Sequence, residues 1–153
     1  MPYSEPIESI LVTDPTSMFI YFGSILALVA ATISVRHKRH LFTAGLYCIA
    51  SLAAVTATQW LWFSREYLTP EPWAAIYLAT YLCLIKLHRR TKCRAIGNMA
   101  APLLLAGGMC IAHSFTVLMI PREQLGPLNF VWSTSVHLIS MTPAFYIWKA
   151  GRR

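Results

Sequence analysis

The chain has 153 residues, of which 56% are hydrophobic and only 12% are charged. Soluble domains carry about 25% charged residues, so this composition excludes an ordinary globular domain and predicts a polytopic membrane protein. The formal net charge of +7 would indicate a nucleic-acid partner in a soluble protein, but here the bases lie between apolar segments, which predicts contact with lipid headgroups and no nucleic acid.

Five apolar segments follow an amino-terminal tail, residues 1–16, that contains acids and no base. Because no basic segment precedes the first of them, we expect that run to be retained rather than cleaved as a signal peptide. The fourth segment, Asn98 to Ile120, has no Asp, Glu, Lys or Arg and as a helix measures about 34 Å, enough to cross a bilayer core of about 30 Å. The predicted spans are residues 17–35, 41–63, 73–87, 98–120 and 129–148. The sequence therefore predicts an all-α protein with one five-span transmembrane domain, residues 17–149, and a short tail, 150–153.

Two details of these segments predict local structure. Pro143 lies inside the fifth span and predicts a kink there. Four of the five tryptophans fall at one set of span ends and predict a belt at the outer membrane interface. They are Trp60, Trp62, Trp73 and Trp132.

The charged residues predict the orientation of the spans. With five spans, eleven of the thirteen Lys and Arg residues fall on one side of the membrane and all six Asp and Glu residues on the other. The positive-inside rule then places the amino terminus outside and the carboxyl terminus in the cytoplasm, which suggests the bacterial inner membrane. The bases expected to contact lipid headgroups are Arg36, Lys38, Arg39, Arg89, Arg90, Lys92 and Arg94.

Several kinds of chemistry have no candidate residues. No acid lies within a span, so a carboxylate-based coupling site of the kind used by small exporters is not expected. HExxH, GxSxG and phosphate-binding glycine loops are absent from the sequence. The four cysteines show no CxxC spacing, so we expect neither a structural disulfide nor a zinc site. These observations favour a protein that is not an enzyme.

A pair of histidines marks the most specific candidate site. His113 and His137 fall at similar depth in the outer half of the fourth and fifth spans, on faces expected to point inward. Cys110 and Met141 lie one helical turn from them and are soft ligands suited to copper, while two imidazoles suit haem. Further polar side chains are expected in the same layer: Gln59, Tyr77, Thr80, Tyr81, Ser133 and Ser140.

Three interpretations of this polar layer remain open. Its side chains can hydrogen-bond across helices and so determine which helices meet. They can hold haem or copper through the two histidines. They can also line a passage for a small solute.

Small residues recur at four-residue intervals on the first and fourth spans. Such faces allow a second helix to approach closely. Because small faces occur on more helices than a closed monomer needs, they also predict a homo-oligomer or a place in a larger membrane complex. The residues concerned are Gly23, Ala27 and Ala31, and Gly108 and Ala112.

In span number, length and tryptophan content the chain resembles the tryptophan-rich sensory proteins related to the translocator protein. It lacks the proline- and tryptophan-rich segments that identify that family, so no ligand site is carried over. Its small size and basic tail also resemble those of phage holins, which permeabilise membranes.

The favoured hypothesis is a non-enzymatic multipass protein acting as an oligomer or a subunit, with a passage for a small solute as one activity. A haem- or copper-binding redox subunit and a holin-like protein are the alternatives.

Overall fold

The computed structural model is a bundle of five α-helices. It describes residues 15–62, 71–121 and 125–152, with the backbone alone at positions 15–18, 20, 21, 59–62, 71, 117, 125–127, 129, 130, 133 and 137. The helices are α1 (Pro15–Ser34), α2 (Arg39–Trp62), α3 (Glu71–Thr91), α4 (Arg94–Met119) and α5 (Leu125–Gly151). The described residues contain no strand, so the all-helical prediction is confirmed for them, and each apolar segment lies in its own helix.

The helices extend beyond the apolar segments. The third segment was predicted to cover 73–87, whereas α3 runs from Glu71 to Thr91, because Lys and Arg are good helix formers and continue the helix past the apolar part. Pro72 lies in the first turn of α3, where no N–H donor is needed and proline is tolerated. Both Pro102 and Pro143 lie within continuous helices, α4 and α5.

The five helices form a closed ring. Each helix packs on its neighbours in sequence, α3 and α4 most extensively, and α5 returns to pack on α1. Short connections make sequence neighbours antiparallel, and with an odd number of helices the closing pair, α1 and α5, runs in the same direction. The connections α1–α2 and α3–α4 and the carboxyl terminus therefore share one end of the bundle, which we call the basic end.

A tight turn joins α3 to α4 at the basic end. Lys92 has the left-handed φ of 55°, and its N–H donates to the His88 carbonyl over 2.7 Å, the pattern of an αL cap at a helix carboxyl terminus. The His88 Nδ1–H donates to the Cys93 carbonyl over 2.8 Å. A backbone hydrogen bond and a side-chain hydrogen bond therefore both stabilise the turn.

A second set of contacts at the basic end, the α1–α5 clasp, consists of Val35, Lys38, Ala150 and Gly151. The ammonium of Lys38 donates to the carbonyls of Ala150 at 2.8 Å and Gly151 at 3.3 Å. A Cβ at Gly151 would lie 2.7 Å from Cγ1 of Val35, so glycine permits this close approach. The clasp joins the start of the α1–α2 connection to the end of α5.

The surface of the bundle is strongly apolar. Within the described residues, α2 and α4 contain segments long and apolar enough to cross a membrane, Arg39–Thr58 and Arg94–Thr116, and α1 contains a shorter apolar segment, Phe22–Ser34. Large exposed hydrophobic side chains occur on all five helices, for example Phe19, Leu46, Leu82, Leu118 and Leu138. Membrane crossing, by α2 and α4 or by the other helices, and the five-span topology stay predictions.

Candidate functional site

An aromatic stack connects three helices on the side of the bundle away from the basic end. Trp132 of α5 stacks on Trp73 of α3 with ring centroids 5.4 Å apart and on His113 of α4 with centroids 4.3 Å apart, and the rings are tilted by only 8° in each pair. Such pairs contribute about 0.5–1.5 kcal/mol each beyond their burial. We call Trp73, Trp132 and His113 the three-ring stack.

His113 occupies the inward face that the sequence predicted. Its side chain is buried, and Cys110, one turn earlier on α4, is also buried. Both therefore lie within the bundle. Met141 on α5 is half-buried.

The sequence did not predict the stack itself. The sequence predicts an outer interfacial belt that includes Trp73 and Trp132, but Trp73 is only 7% exposed and Trp132 packs against the core. Tryptophans near span ends follow the interfacial statistics only when their rings point outward. The sequence offered no clear signal for it, because Trp73 begins its predicted span whereas His113 lies seven residues inside the end of its own.

The hydroxyls of Tyr77 and Ser140 lie 3.3 Å apart and link α3 to α5. Because the Ser140 hydroxyl donates to the Val136 carbonyl over 2.8 Å, the Tyr77 hydroxyl is the donor to Ser140. Thr80 is buried and its hydroxyl donates to the Ile76 carbonyl, while Tyr81 is half-buried against the core. These four residues of the predicted polar layer do lie in or beside the interior.

The remaining members of the predicted layer have side chains that lie outside the described part of the structure. No side chain is described for His137, Gln59 or Ser133, so the histidine pair with its soft ligands stays a prediction. Among the side chains that are described, no group of three or more His, Cys, Asp or Glu could hold a metal ion.

Three buried polar atoms lack a hydrogen-bond partner within the described part of the chain. They are Oγ of Ser51, Nε1 of Trp132 and Oγ1 of Thr134. By contrast, the hydroxyls of Thr56 and Thr58 on α2 each donate to the carbonyl four residues earlier. Because these atoms are almost fully enclosed, water or a polar solute could reach them only if a cavity opened beside them.

The predicted small-residue faces point mostly outward. Ala31 is buried, but Ala27 and Ala112 are exposed. A Cβ added at Gly23 or Gly108 would meet no described atom within 4 Å. Most residues of these faces therefore lie outside the contacts between the described helices. Contact of these faces with another chain stays a prediction.

Other glycines make the close contacts inside the bundle. A Cβ at Gly45 would lie 2.6 Å from Cγ2 of Thr32, and a Cβ at Gly107 would lie 3.1 Å from Cγ of Leu78. These positions bring α2 against α1 and α4 against α3.

The bases predicted to contact headgroups lie at the basic end. Lys38 is half-buried in the α1–α5 clasp. The other six are exposed: Arg36, Arg39, Arg89, Arg90, Lys92 and Arg94. Residues 15–65, 72–122 and 124–153 contain no Asp or Glu, so the charges at this end have few acidic neighbours in sequence.

No family model matches this chain, and no curated protein or solved structure matches it.

Proposed function

We propose that this protein is a five-span integral membrane protein of the bacterial inner membrane, acting without catalysis as a homo-oligomer or as a subunit of a larger membrane complex. The observation that supports the membrane location is the apolar surface. Only 39% of the apolar window in each of α2 and α4 is buried inside the bundle, whereas a core helix of a soluble protein is mostly buried. Exposure of so many large hydrophobic side chains in water would be costly.

The charge distribution supports the proposed orientation, with the amino terminus outside and the carboxyl terminus in the cytoplasm. The basic end collects the α1–α2 and α3–α4 connections and the end of α5. The acids Glu66, Glu71 and Glu123 lie in sequence beside the connections of the opposite end. This asymmetry agrees with the positive-inside rule.

Labelling of an introduced cysteine tests this topology, with Cys83 and Cys93 removed and the two buried cysteines, Cys48 and Cys110, retained. In a Cys83→Ala, Cys93→Ala background, Arg90→Cys at the basic end should react with a membrane-impermeant maleimide only after right-side-out vesicles are permeabilised. Ser64→Cys, in the predicted outer connection, should react before permeabilisation and serves as the control. Labelling of Arg90→Cys in intact vesicles would reverse the orientation.

The outward glycine faces support assembly with other chains. Gly23 on α1 and Gly108 on α4 leave open space at the bundle surface, which allows a helix of another chain to approach. Gly108→Leu should reduce cross-linked oligomers in membranes while leaving the helical content of the purified protein unchanged. Unchanged cross-linking of both Gly108→Leu and Gly23→Leu would contradict assembly through these faces.

The interior layer supports two activities of different kinds. The Tyr77–Ser140 contact supports a packing role, since it joins two helices within the bilayer. The unpartnered atoms of Ser51, Trp132 and Thr134 support a passage for a small polar solute. Glycerol or urea flux into vesicles, measured by light scattering and reduced in Thr134→Val, would support the passage.

A redox subunit is the second candidate, and the shared buried face of Cys110 and His113 favours it. Imidazole and thiolate are ligands for haem iron and copper. An absorption spectrum and metal analysis of the detergent-purified protein, beside a His113→Ala, His137→Ala variant, provide the test. A haem band or stoichiometric copper that the variant loses would establish this candidate, and a colourless, metal-free protein purified under conditions that retain cofactors would eliminate it.

A further inference from the structure

The α1–α5 clasp joins two segments of the basic end that both carry bases. Arg36 and Arg39 belong to the α1–α2 connection and its junction with α2, while Lys149 and Arg152 belong to the end of α5. The contacts of Lys38 with the carbonyls of Ala150 and Gly151 join these two segments directly. The four bases are exposed, so their cationic groups are accessible from outside the bundle.

Aromatic rings accompany the bases of α5. The guanidinium of Arg152 lies 3.8 Å from the ring centroid of Trp148, and the ammonium of Lys149 lies 5.8 Å from that of Phe145. Both rings are exposed, Trp148 by 44% and Phe145 by 53%. An exposed tryptophan prefers the depth of lipid headgroups, and a guanidinium stacked on its face keeps its N–H edge available for an anion.

The chain supplies little negative charge to this surface. Residues 15–65 and 124–153, which contain both segments, include no Asp or Glu. Lys38 is already bonded to two backbone carbonyls, whereas the Arg36 and Arg152 side chains remain exposed. No Asp or Glu close in sequence can pair with these bases, so an anionic molecule can supply the counter-charge.

We propose that Arg36, Arg39, Trp148, Lys149 and Arg152 form a binding site for the phosphate headgroup of an anionic phospholipid, the α1–α5 headgroup site. This inference rests on the proposed membrane location and cytoplasmic position of the basic end. Arginine binds phosphate oxygens through two parallel N–H bonds, and Trp148 and Phe145 offer an apolar surface to the adjoining acyl chains. The α3–α4 turn carries as many bases, but the cation–aromatic contacts of the described residues lie on α5.

The test compares two variants that lose the same charge. The full-length protein is titrated in dodecyl maltoside with phosphatidylglycerol or phosphatidylcholine, and bound lipid is counted by native mass spectrometry. Each base near an anionic lipid surface changes affinity about fivefold, so Arg36→Gln with Arg152→Gln should weaken phosphatidylglycerol binding about 25-fold. The matched control, Arg90→Gln with Arg94→Gln at the α3–α4 turn, removes the same charge from exposed bases outside the proposed site. In detergent, where no bilayer surface surrounds the protein, it should weaken phosphatidylglycerol binding clearly less than the site variant does. Circular dichroism checks that both variants keep their helices.

Four results would overturn the headgroup site. An equal loss in both variants would mean that the whole basic end attracts anionic lipid without a particular site. Equal affinity for phosphatidylcholine, or full competition by millimolar inorganic phosphate, would remove the preference for an anionic lipid. Binding of an acidic peptide in place of phosphatidylglycerol would instead indicate a protein partner.

Alkaline carbonate extraction of membranes separates this inference from the membrane proposal. Release of the wild-type protein into the supernatant would defeat the proposed function. Retention in the pellet without selective phosphatidylglycerol binding would defeat the headgroup site alone.

Discussion

Interior hydroxyls of this bundle bond mostly to the backbone of their own helix. Thr32 donates to the Leu28 carbonyl and Thr80 to the Ile76 carbonyl, which satisfies a polar atom without a partner from another helix. The Trp132 indole cannot do this, because its only donor lies at the far edge of a ring held in the three-ring stack. An unsatisfied buried donor costs about 1–3 kcal/mol, so the stack has to compensate for it.

Substitution of Trp132 tests whether the three-ring stack stabilises the bundle by more than the unpartnered indole N–H costs. Trp132→Ala removes both stacking contacts and leaves a cavity, and should lower the free energy of unfolding by about 3 kcal/mol. Trp132→Phe keeps an aromatic face and removes the unpartnered N–H, so it should lower the free energy of unfolding by less than about 1 kcal/mol. Unfolding by dodecyl sulfate in mixed micelles measures both changes.

Trp148→Ala provides the control for the stack, since this exposed tryptophan of the same helix packs on no other indole in the described structure. It should lower the free energy of unfolding by no more than about 1 kcal/mol, because the contact with Arg152 that it loses is exposed. A Trp132→Ala loss as small as that of the control would show that the stack contributes nothing to stability.

At this scale the sequence predicts which way a residue faces better than what it touches. The helical period placed Cys110 and His113 inside, and both are buried. It did not place Trp73 inside, because a tryptophan at a span end can point to lipid or to the bundle, and its rotamer depends on the space that neighbouring helices leave.

Among the elements, glycine positions separate contacts inside the bundle from open surface. A methyl at Gly45 would lie within 2.9 Å of Thr32 Cβ and closer still to its methyl, so Gly45→Ala should force α1 and α2 apart and cost about 1–3 kcal/mol. Gly108→Ala meets nothing within 4 Å and should gain up to about 1 kcal/mol from helix propensity. The thermal unfolding midpoints of the two variants in detergent measure these changes. Loss of stability in both variants would contradict the assignment of Gly45 to a helix contact and Gly108 to open surface.

In the α3–α4 turn, a substitution to glycine should stabilise the protein. Lys92 adopts a φ of 55°, which costs an L-residue about 1 kcal/mol that glycine avoids. Lys92→Gly should therefore raise the free energy of unfolding by about 1 kcal/mol. Arg90→Gly, within the last turn of α3, should lower it by up to about 1 kcal/mol. A destabilised Lys92→Gly variant would show that the turn does not need the left-handed residue.

The helices were predictable from the sequence because apolar runs separated by charges and prolines are long-range signals. Their ends were not, since a helix continues into charged residues wherever backbone hydrogen bonding allows it, as α3 does through His88 and Arg90. The small-residue faces that contain Gly23 on α1 and Gly108 on α4 show the same limit: spacing identifies a small face but not the helix that covers it.

For the whole molecule, the decisive contact is the closure of the ring between α1 and α5. Sequence order predicts that neighbouring helices pack, but it does not predict which helix the last one meets. That pairing depends on contacts between residues more than 110 positions apart, such as Lys38 with Ala150. The clasp also aligns two parallel helix carboxyl termini, whose partial negative charges favour a cation between them.

Removal of the clasp donor should loosen this closure locally. Lys38→Met keeps much of the side-chain volume but leaves the Ala150 and Gly151 carbonyls without their ammonium donor, a loss of about 1.5 kcal/mol. Backbone amides in the last turn of α5 should then exchange hydrogen about tenfold faster, while those near Met99 in the core of α4 stay unchanged. Arg39→Met removes the same charge one residue away, and its exchange should match the wild type, because the described structure shows no hydrogen bond from the Arg39 side chain to α5. Equal acceleration in the two variants would assign the effect to net charge, and an unchanged Lys38→Met variant would show that the packing of Val35 against Gly151 closes the ring without the lysine.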